Sequence, residues 1–138
     1  MTKLPTMSSG ESTANISVLL VDDEEAIREL ARVVLERAGL TVLDEAEDGV
    51  KALERYRAQH PPDVPLVVLL DNRMPGLSGL EVAAEMLNDF PTQIVVLFSA
   101  HLDPEIVAHA ERLGIAACVP KLQVTKLPGI LDELLAAS

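Results

Sequence analysis

Tryptophan is absent from this 138-residue chain, and only Tyr56, Phe90 and Phe98 are aromatic. With so few rings the core must be mostly Leu, Val, Ile and Ala, and stacking platforms for single-stranded nucleic acid are absent. The single cysteine, Cys118, cannot form an internal disulfide, which fits a reducing cytosol. Basic residues are also scarce. Eleven Lys and Arg face 22 Asp and Glu, and a net charge of −11 repels phosphate backbones and anionic lipid surfaces. Neither nucleic acid nor a membrane is expected as a direct partner. No segment approaches the run of about 18 apolar residues that a membrane span needs. The longest clean run is "PLVVLL", and the N-terminal "MTKLPTMSSGESTANIS" lacks the apolar stretch of a signal peptide. These absences together read as a cytoplasmic protein.

The length suits one ordinary domain with a real core and leaves no room for a second. Residues 1–16 are rich in Ser, Thr, Gly and Pro without any period and read as a flexible tail, with the folded domain over 17–138. From there, short apolar runs alternate with helical spacing. "ISVLLV" reads as a strand, and Ile27, Leu30, Val34 and Ala38 recur as a helix face up to Gly39. "TVLDEA" alternates in polarity and should be a less buried strand than the continuous runs "PLVVLL" and "QIVVLFS". "SGLE" has capping-box form, with Ser78 as N-cap and Glu81 at N3. "DPEIVAHAERLG" offers Asp103 as N-cap, Pro104 at the first helical position and Gly114 after the end. "AACVP" is the fifth strand, and "PGILDELLAA" the last helix. Five strands alternating with five helices give an α/β fold, a doubly wound parallel sheet whose ligand chemistry gathers at the carboxyl ends of the strands.

Those ends carry a specific set of groups. The first strand runs into "VDDEE", the third into "LLD", the fourth into "FSA" and the fifth into "VPK". Side by side, Asp22, Asp23 and Asp71 concentrate like charge at a cost that a cation would relieve. Oxygen donors without His or thiol select a hard ion such as Mg2+, which keeps several waters and shares oxygens with a phosphate. Lys121 adds a positive charge and Ser99 a hydroxyl donor, the parts that neutralise and orient a phosphoryl group in transfer. Asp71 is then the natural nucleophile, forming an acyl phosphate.

"VLLVDDEEAIREL", "LLDNRMPGLSGLEV", "VVLFSA" and "VPK" resemble the receiver domain of two-component response regulators, and the resemblance runs from about Ile16 to the C-terminus. It implies a flavodoxin-like (βα)5 fold with strand order 2-1-3-4-5. Asp71 is implied as the phosphoacceptor, with Asp22 and Asp23 as the acidic pair for Mg2+ and Asp23 favoured as the direct ligand. The main-chain carbonyl of Arg73 would complete the metal site, Ser99 takes the place of the switch Ser or Thr, and Lys121 that of the family's invariant Lys. The implied donor is a histidine kinase or a histidine phosphotransfer protein. The output is a changed affinity for a downstream protein by a monomer or a phosphorylation-dependent dimer, an autocatalytic phosphoacceptor rather than a conventional enzyme.

Departures from the family pattern carry their own expectations. Cys118 stands where many receivers place an aromatic switch residue, so the ring rotation of those receivers has no counterpart here. Leu122 follows Lys121 where the family usually has Pro, so the loop "LQVTKLPG" should be atypical. Arg73 and His101, each two residues beyond a site residue, should flank the pocket mouth and hinder the water that would hydrolyse the acyl phosphate. His101 and His109 lack the spacing of a metal site, and His60 reads as loop. Competing readings are a pseudo-receiver that binds protein without phosphorylation, an excised receiver of a larger regulator, and an Asp-nucleophile phosphatase. The last should carry Asp-x-Asp after the first strand, whereas "VDDEEA" has adjacent acids.

Overall fold

Strands β1 (Ser17–Val21), β3 (Leu66–Leu70) and β4 (Ile94–Ser99) are nearly continuous runs of Leu, Val and Ile. Such runs are stable only where both faces of the sheet are covered. The computed structural model, which describes residues 16–59 and 65–137, has that arrangement. Five parallel strands lie in the order β2-β1-β3-β4-β5, with β2 (Thr41–Ala46) and β5 (Ala117–Pro120) at the edges. The expected tail lies outside the described residues up to position 15, as does His60, whereas Ile16 is buried in the core.

Alternate residues of each strand serve two separate cores. Val18, Leu20, Val67, Leu69, Val96 and Phe98 pack under helices α1 (Glu25–Arg37) and α5 (Leu127–Ala137), against Leu35, Leu127 and Leu131. Leu19, Val21, Val68, Leu70, Val95 and Leu97 face α2 (Gly49–Ala58), α3 (Gly79–Asp89) and α4 (Pro104–Leu113), against Leu53, Met86 and Ala110. Fully burying each such aliphatic side chain contributes about 1.5–3 kcal/mol. The central strands are therefore rigid mounts for whatever follows them.

Helix ends follow the expected chemistry. Ser78 and Glu81 form the reciprocal capping box, Asp103 accepts from the Ile106 N–H, and Gly114 closes α4 in the left-handed region at φ 94°. Asp48 also caps α2 through the Lys51 N–H. Edge strand β2 alternates between exposed and half-buried residues, as its sequence suggests. Charge compensates for its thin apolar contact: Glu45 receives Arg28 Nε at 3.2 Å and Arg32 Nε at 2.6 Å, and Arg55 donates to the Glu45 carbonyl. The hydrogen bond from Arg32 is the main reason the Glu45 carboxyl lies below its usual range. One residue thus ties β2 to both α1 and α2.

After β5 the chain enters a 3-10 turn, Lys121–Lys126, with a kink at Gln123 (φ −101°, ψ 28°), and passes directly into α5. The loop expected to be atypical is a tight helical turn. Its Val124 and Leu127 are buried beneath the sheet, while Leu122 is 98% exposed.

Candidate functional site

The order β1-β3-β4-β5 sets four strand ends side by side, so residues far apart in sequence meet at one edge. Asp22 directly follows β1, Asp71 follows β3, Ser99 ends β4 and Lys121 follows β5. The sheet's own hydrogen bonds hold the first two. Asp22 N–H donates to the Ala46 carbonyl at 3.1 Å, and Asp71 N–H to the Val21 carbonyl at 2.9 Å. Asp22, Asp71 and Ser99 are buried at 1–3% exposure, polar groups that only a functional or paired setting makes tolerable.

Lys121 is the centre of the cluster. Its Nζ lies 2.8 Å from Asp22 Oδ2, 3.1 Å from Asp71 Oδ2 and 3.0 Å from Glu24 Oε1, with the side chain 10% exposed. An open cleft of about 300 Å³ extends above it, lined by Asp23, Glu24, Asp71, Arg73, Ser99, Ala100, His101 and Lys121. Ser99 Oγ accepts from the His101 N–H at 3.3 Å, which leaves the hydroxyl proton free to donate.

The electrostatics are unbalanced. Burial is the chief cause that raises the Asp22 carboxyl above the usual carboxylate range, and Asp71 adds to it, while Lys121 and the Glu24 N–H pull the other way. Burial also acts to lower the Lys121 ammonium, but the surrounding carboxylates outweigh it and hold the group charged well beyond the ordinary lysine range. The Lys121 ammonium stands among carboxylates from Asp22, Asp23, Glu24 and Asp71, which each bring an oxygen within 4.8 Å of the others. Asp22 Oδ2 is buried with the Lys121 ammonium 2.8 Å away as its partner, while Oδ1 accepts from the Glu24 N–H. Four clustered carboxylates, hard oxygen donors with no His or Cys in the group, fit a divalent ion of the Mg2+ type.

The remaining expected residues fall into place differently. Arg73 and His101 are exposed and line the mouth of the cleft. Asp23 is exposed, unlike its buried neighbour Asp22. Cys118 on β5 is half-buried against the core facing α2, α3 and α4, and burial, helped by Glu111, pushes its thiol up. That environment suppresses the thiolate, so Cys118 packs as a small apolar side chain.

Three contributors escaped the sequence reading. Glu24 pairs with Lys121 directly. Arg28 Nη1 donates to the Asp22 carbonyl at 2.6 Å while its Nε holds Glu45, bracing the acidic loop from behind. Asn72, next to the nucleophile candidate, accepts from the Gly79 N–H through its carbonyl at 2.9 Å and from the Leu80 N–H through Oδ1 at 3.0 Å. The first two N–H groups of α3 are thereby satisfied, which locks the loop after β3 onto that helix. A run of acids and an Asn eight residues before a helical Leu were the only signals.

Known proteins share this sequence pattern and this fold. The family description "Response regulator receiver domain" matches residues 18–129. The transcriptional regulatory protein NarL of Mycobacterium tuberculosis is 39% identical over 115 residues, covering 82% of this chain and 51% of that protein. A protein-glutamate methylesterase/protein-glutamine glutaminase of Hahella chejuensis is 36% identical over 110 residues, covering 78% of this chain and 30% of that protein. This chain therefore spans about half or less of the length of these curated relatives. The solved structure of the signal receiver domain of M. tuberculosis NarL superposes with a TM-score of 0.73 at 34% identity, covering 88% of this chain and 97% of that one. Among the described residues, no helix is long and apolar enough to cross a membrane.

Proposed function

The chain belongs to the response regulator receiver domain family, and on that premise we propose that it is a phosphoacceptor of two-component signalling that carries the phosphoryl group on Asp71. The observation that supports this reading best is the Lys121 ammonium, set 2.8 Å from Asp22 and 3.1 Å from Asp71 beneath an open cleft. A carboxylate oxygen of Asp71 attacks the phosphorus of a phosphohistidine on a histidine kinase or phosphotransfer protein. The new P–O bond replaces the P–N bond, and the imidazole, already protonated on its other ring nitrogen in the phosphohistidine, leaves as the neutral ring. Lys121 offsets charge on the phosphoryl oxygens, and the Ser99 hydroxyl donates to one of them. Asp22, Asp23, Asp71 and the Arg73 carbonyl would hold Mg2+. When bound, that ion neutralises the extra negative charge that arrives with the phosphoryl group.

The readout is a changed affinity for a downstream protein, set by loops after β3 and β4 whose two arrangements the phosphoryl group biases. Ser99 ends β4 and bonds the backbone of the loop that follows, so a shift of its hydroxyl toward the phosphoryl group moves that loop. With Cys118 on β5, no aromatic ring accompanies the shift.

Incubation with acetyl phosphate and Mg2+, followed by intact-mass measurement, is expected to add one phosphoryl group, and chelation of the metal to prevent it. No added mass would overturn the reading in favour of a binding module that keeps only the fold. The mouth residues give a second expectation. Arg73 and His101 obstruct the line along which water must reach the phosphorus, so replacing both with Ala should speed dephosphorylation between about two- and tenfold. An unchanged rate of phosphoryl loss in the double variant removes that role.

A further inference from the structure

Glu24 occupies the N-cap of α1, where a short Ser, Thr, Asp or Asn would bond the first turn, yet its side chain makes no capping hydrogen bond. It reaches across to Lys121 instead, with Oε1 3.0 Å from Nζ. The two residues are 97 positions apart and line the same cleft.

We propose that Glu24 is a positioning residue that occupies one face of the Lys121 ammonium in the resting protein and must yield it to the incoming phosphoryl group. The inference rests on the phosphoacceptor reading and extends it to a residue outside the motif. An ammonium has three N–H groups. Here it has three carboxylate neighbours, from Asp22, Asp71 and Glu24, and no side left for a fourth. A phosphoryl oxygen on Asp71 needs one of those positions. Asp22 is fixed by burial at 1% exposure and by the Glu24 N–H on its Oδ1, and Asp71 is the group being modified. Glu24, with a side chain 62% exposed, is the partner able to swing into water. Its negative charge at the mouth also repels an anionic donor before it is displaced. The resting contact therefore slows capture, and the N-cap of α1 is left without its hydrogen bond to maintain it.

Three variants and a metal titration test this. With acetyl phosphate at saturating Mg2+ and low ionic strength, Glu24→Gln should raise the initial rate of phosphoryl uptake about two- to fivefold, the range expected for loss of one partly exposed ion pair. Glu24→Asp keeps the charge but lacks the reach, and should be faster than wild type as well. Glu25→Gln, an exposed acid of the same turn that forms no ion pair with Lys121 among the described residues, should stay near the wild-type rate. Mn2+ affinity, read from the free-ion resonance signal, should change less than about threefold in Glu24→Gln, in keeping with a residue that acts on Lys121 and not on the ion. Wild-type rates in both Glu24 variants, a Glu24→Asp variant no faster than wild type, or a Glu25→Gln rate equal to that of Glu24→Gln would each overturn the proposal. So would a larger loss of Mn2+ affinity, which would make Glu24 a metal ligand. If the wild type itself takes up no phosphoryl group, the phosphoacceptor reading fails and this inference with it. Uptake by the wild type with unaltered variants sinks this inference alone.

Discussion

Asp71→Asn is expected to gain no phosphoryl mass under conditions that label the wild type, while unfolding within about 1 kcal/mol of it in the absence of divalent metal. The first half follows from chemistry. An amide oxygen is a poor nucleophile, and no other described carboxylate of the cleft combines burial at a strand end with direct contact to Lys121 and an open approach. The second half follows from cancellation. Losing the negative charge removes an attraction to Lys121 at 3.1 Å, but it also removes a repulsion that raises the Asp22 carboxyl. Asn is close to isosteric, and the N–H of residue 71 still donates to the Val21 carbonyl. A metal titration separates function from fold. Mg2+ should raise the melting temperature of the wild type by relieving the excess of carboxylates over ammonium, and should raise that of Asp71→Asn less, because one oxygen donor is gone. Equal labelling of variant and wild type would move the phosphoacceptor off Asp71.

The reasons Asp71 could be read from sequence, and Glu24 could not, are physical. A strand buried on both faces leaves a plain signature, a run such as "LVVLL", and the residue after it must lie at the sheet's edge whatever else the chain does. Asp22 and Asp71 follow such strands, Ser99 ends one and Lys121 follows the edge strand β5, so the strand order brings the four together. The capping box at Ser78 and the Gly114 stop are equally local. Glu24 and Arg28 sit beyond the strand end, in the turn and first helix, where the direction of a long side chain depends on what the fold places opposite. Nothing in "VDDEEAIRELAR" reveals that Glu24 faces a lysine 97 residues away, or that Arg28 and Arg32 share Glu45 on an edge strand. The turn after Lys121 was legible as atypical from its missing Pro. Its 3-10 form depends on the burial of Val124 and Leu127, a tertiary effect.

Gly79→Ala should lower stability by about 2–3 kcal/mol, the upper range for overpacking, and the melting temperature by roughly 6–15 °C. Gly79 opens α3 and is pressed against the loop that carries Asp71. A Cβ there would collide with the Asp71 carbonyl oxygen and approach the Asn72 Cα to 2.8 Å. Both are backbone, with no flexible side-chain end to move aside. The contact is tight because the Gly79 and Leu80 N–H groups both donate to Asn72, drawing the helix start onto the turn directly after Asp71. Two responses are open to the variant: it breaks those two hydrogen bonds, or it displaces the backbone of residues 71 and 72. Either one shifts Asp71 relative to Lys121 and Asp22, so phosphoryl uptake should fall along with stability. Gly129→Ala is the matching control, since a Cβ at Gly129 meets nothing within 4 Å and an Ala inside α5 should stabilise the fold by about 0.5–1 kcal/mol. A Gly79→Ala protein that melts with the wild type and takes up phosphoryl at the wild-type rate would mean that this close approach does not hold Asp71 in place.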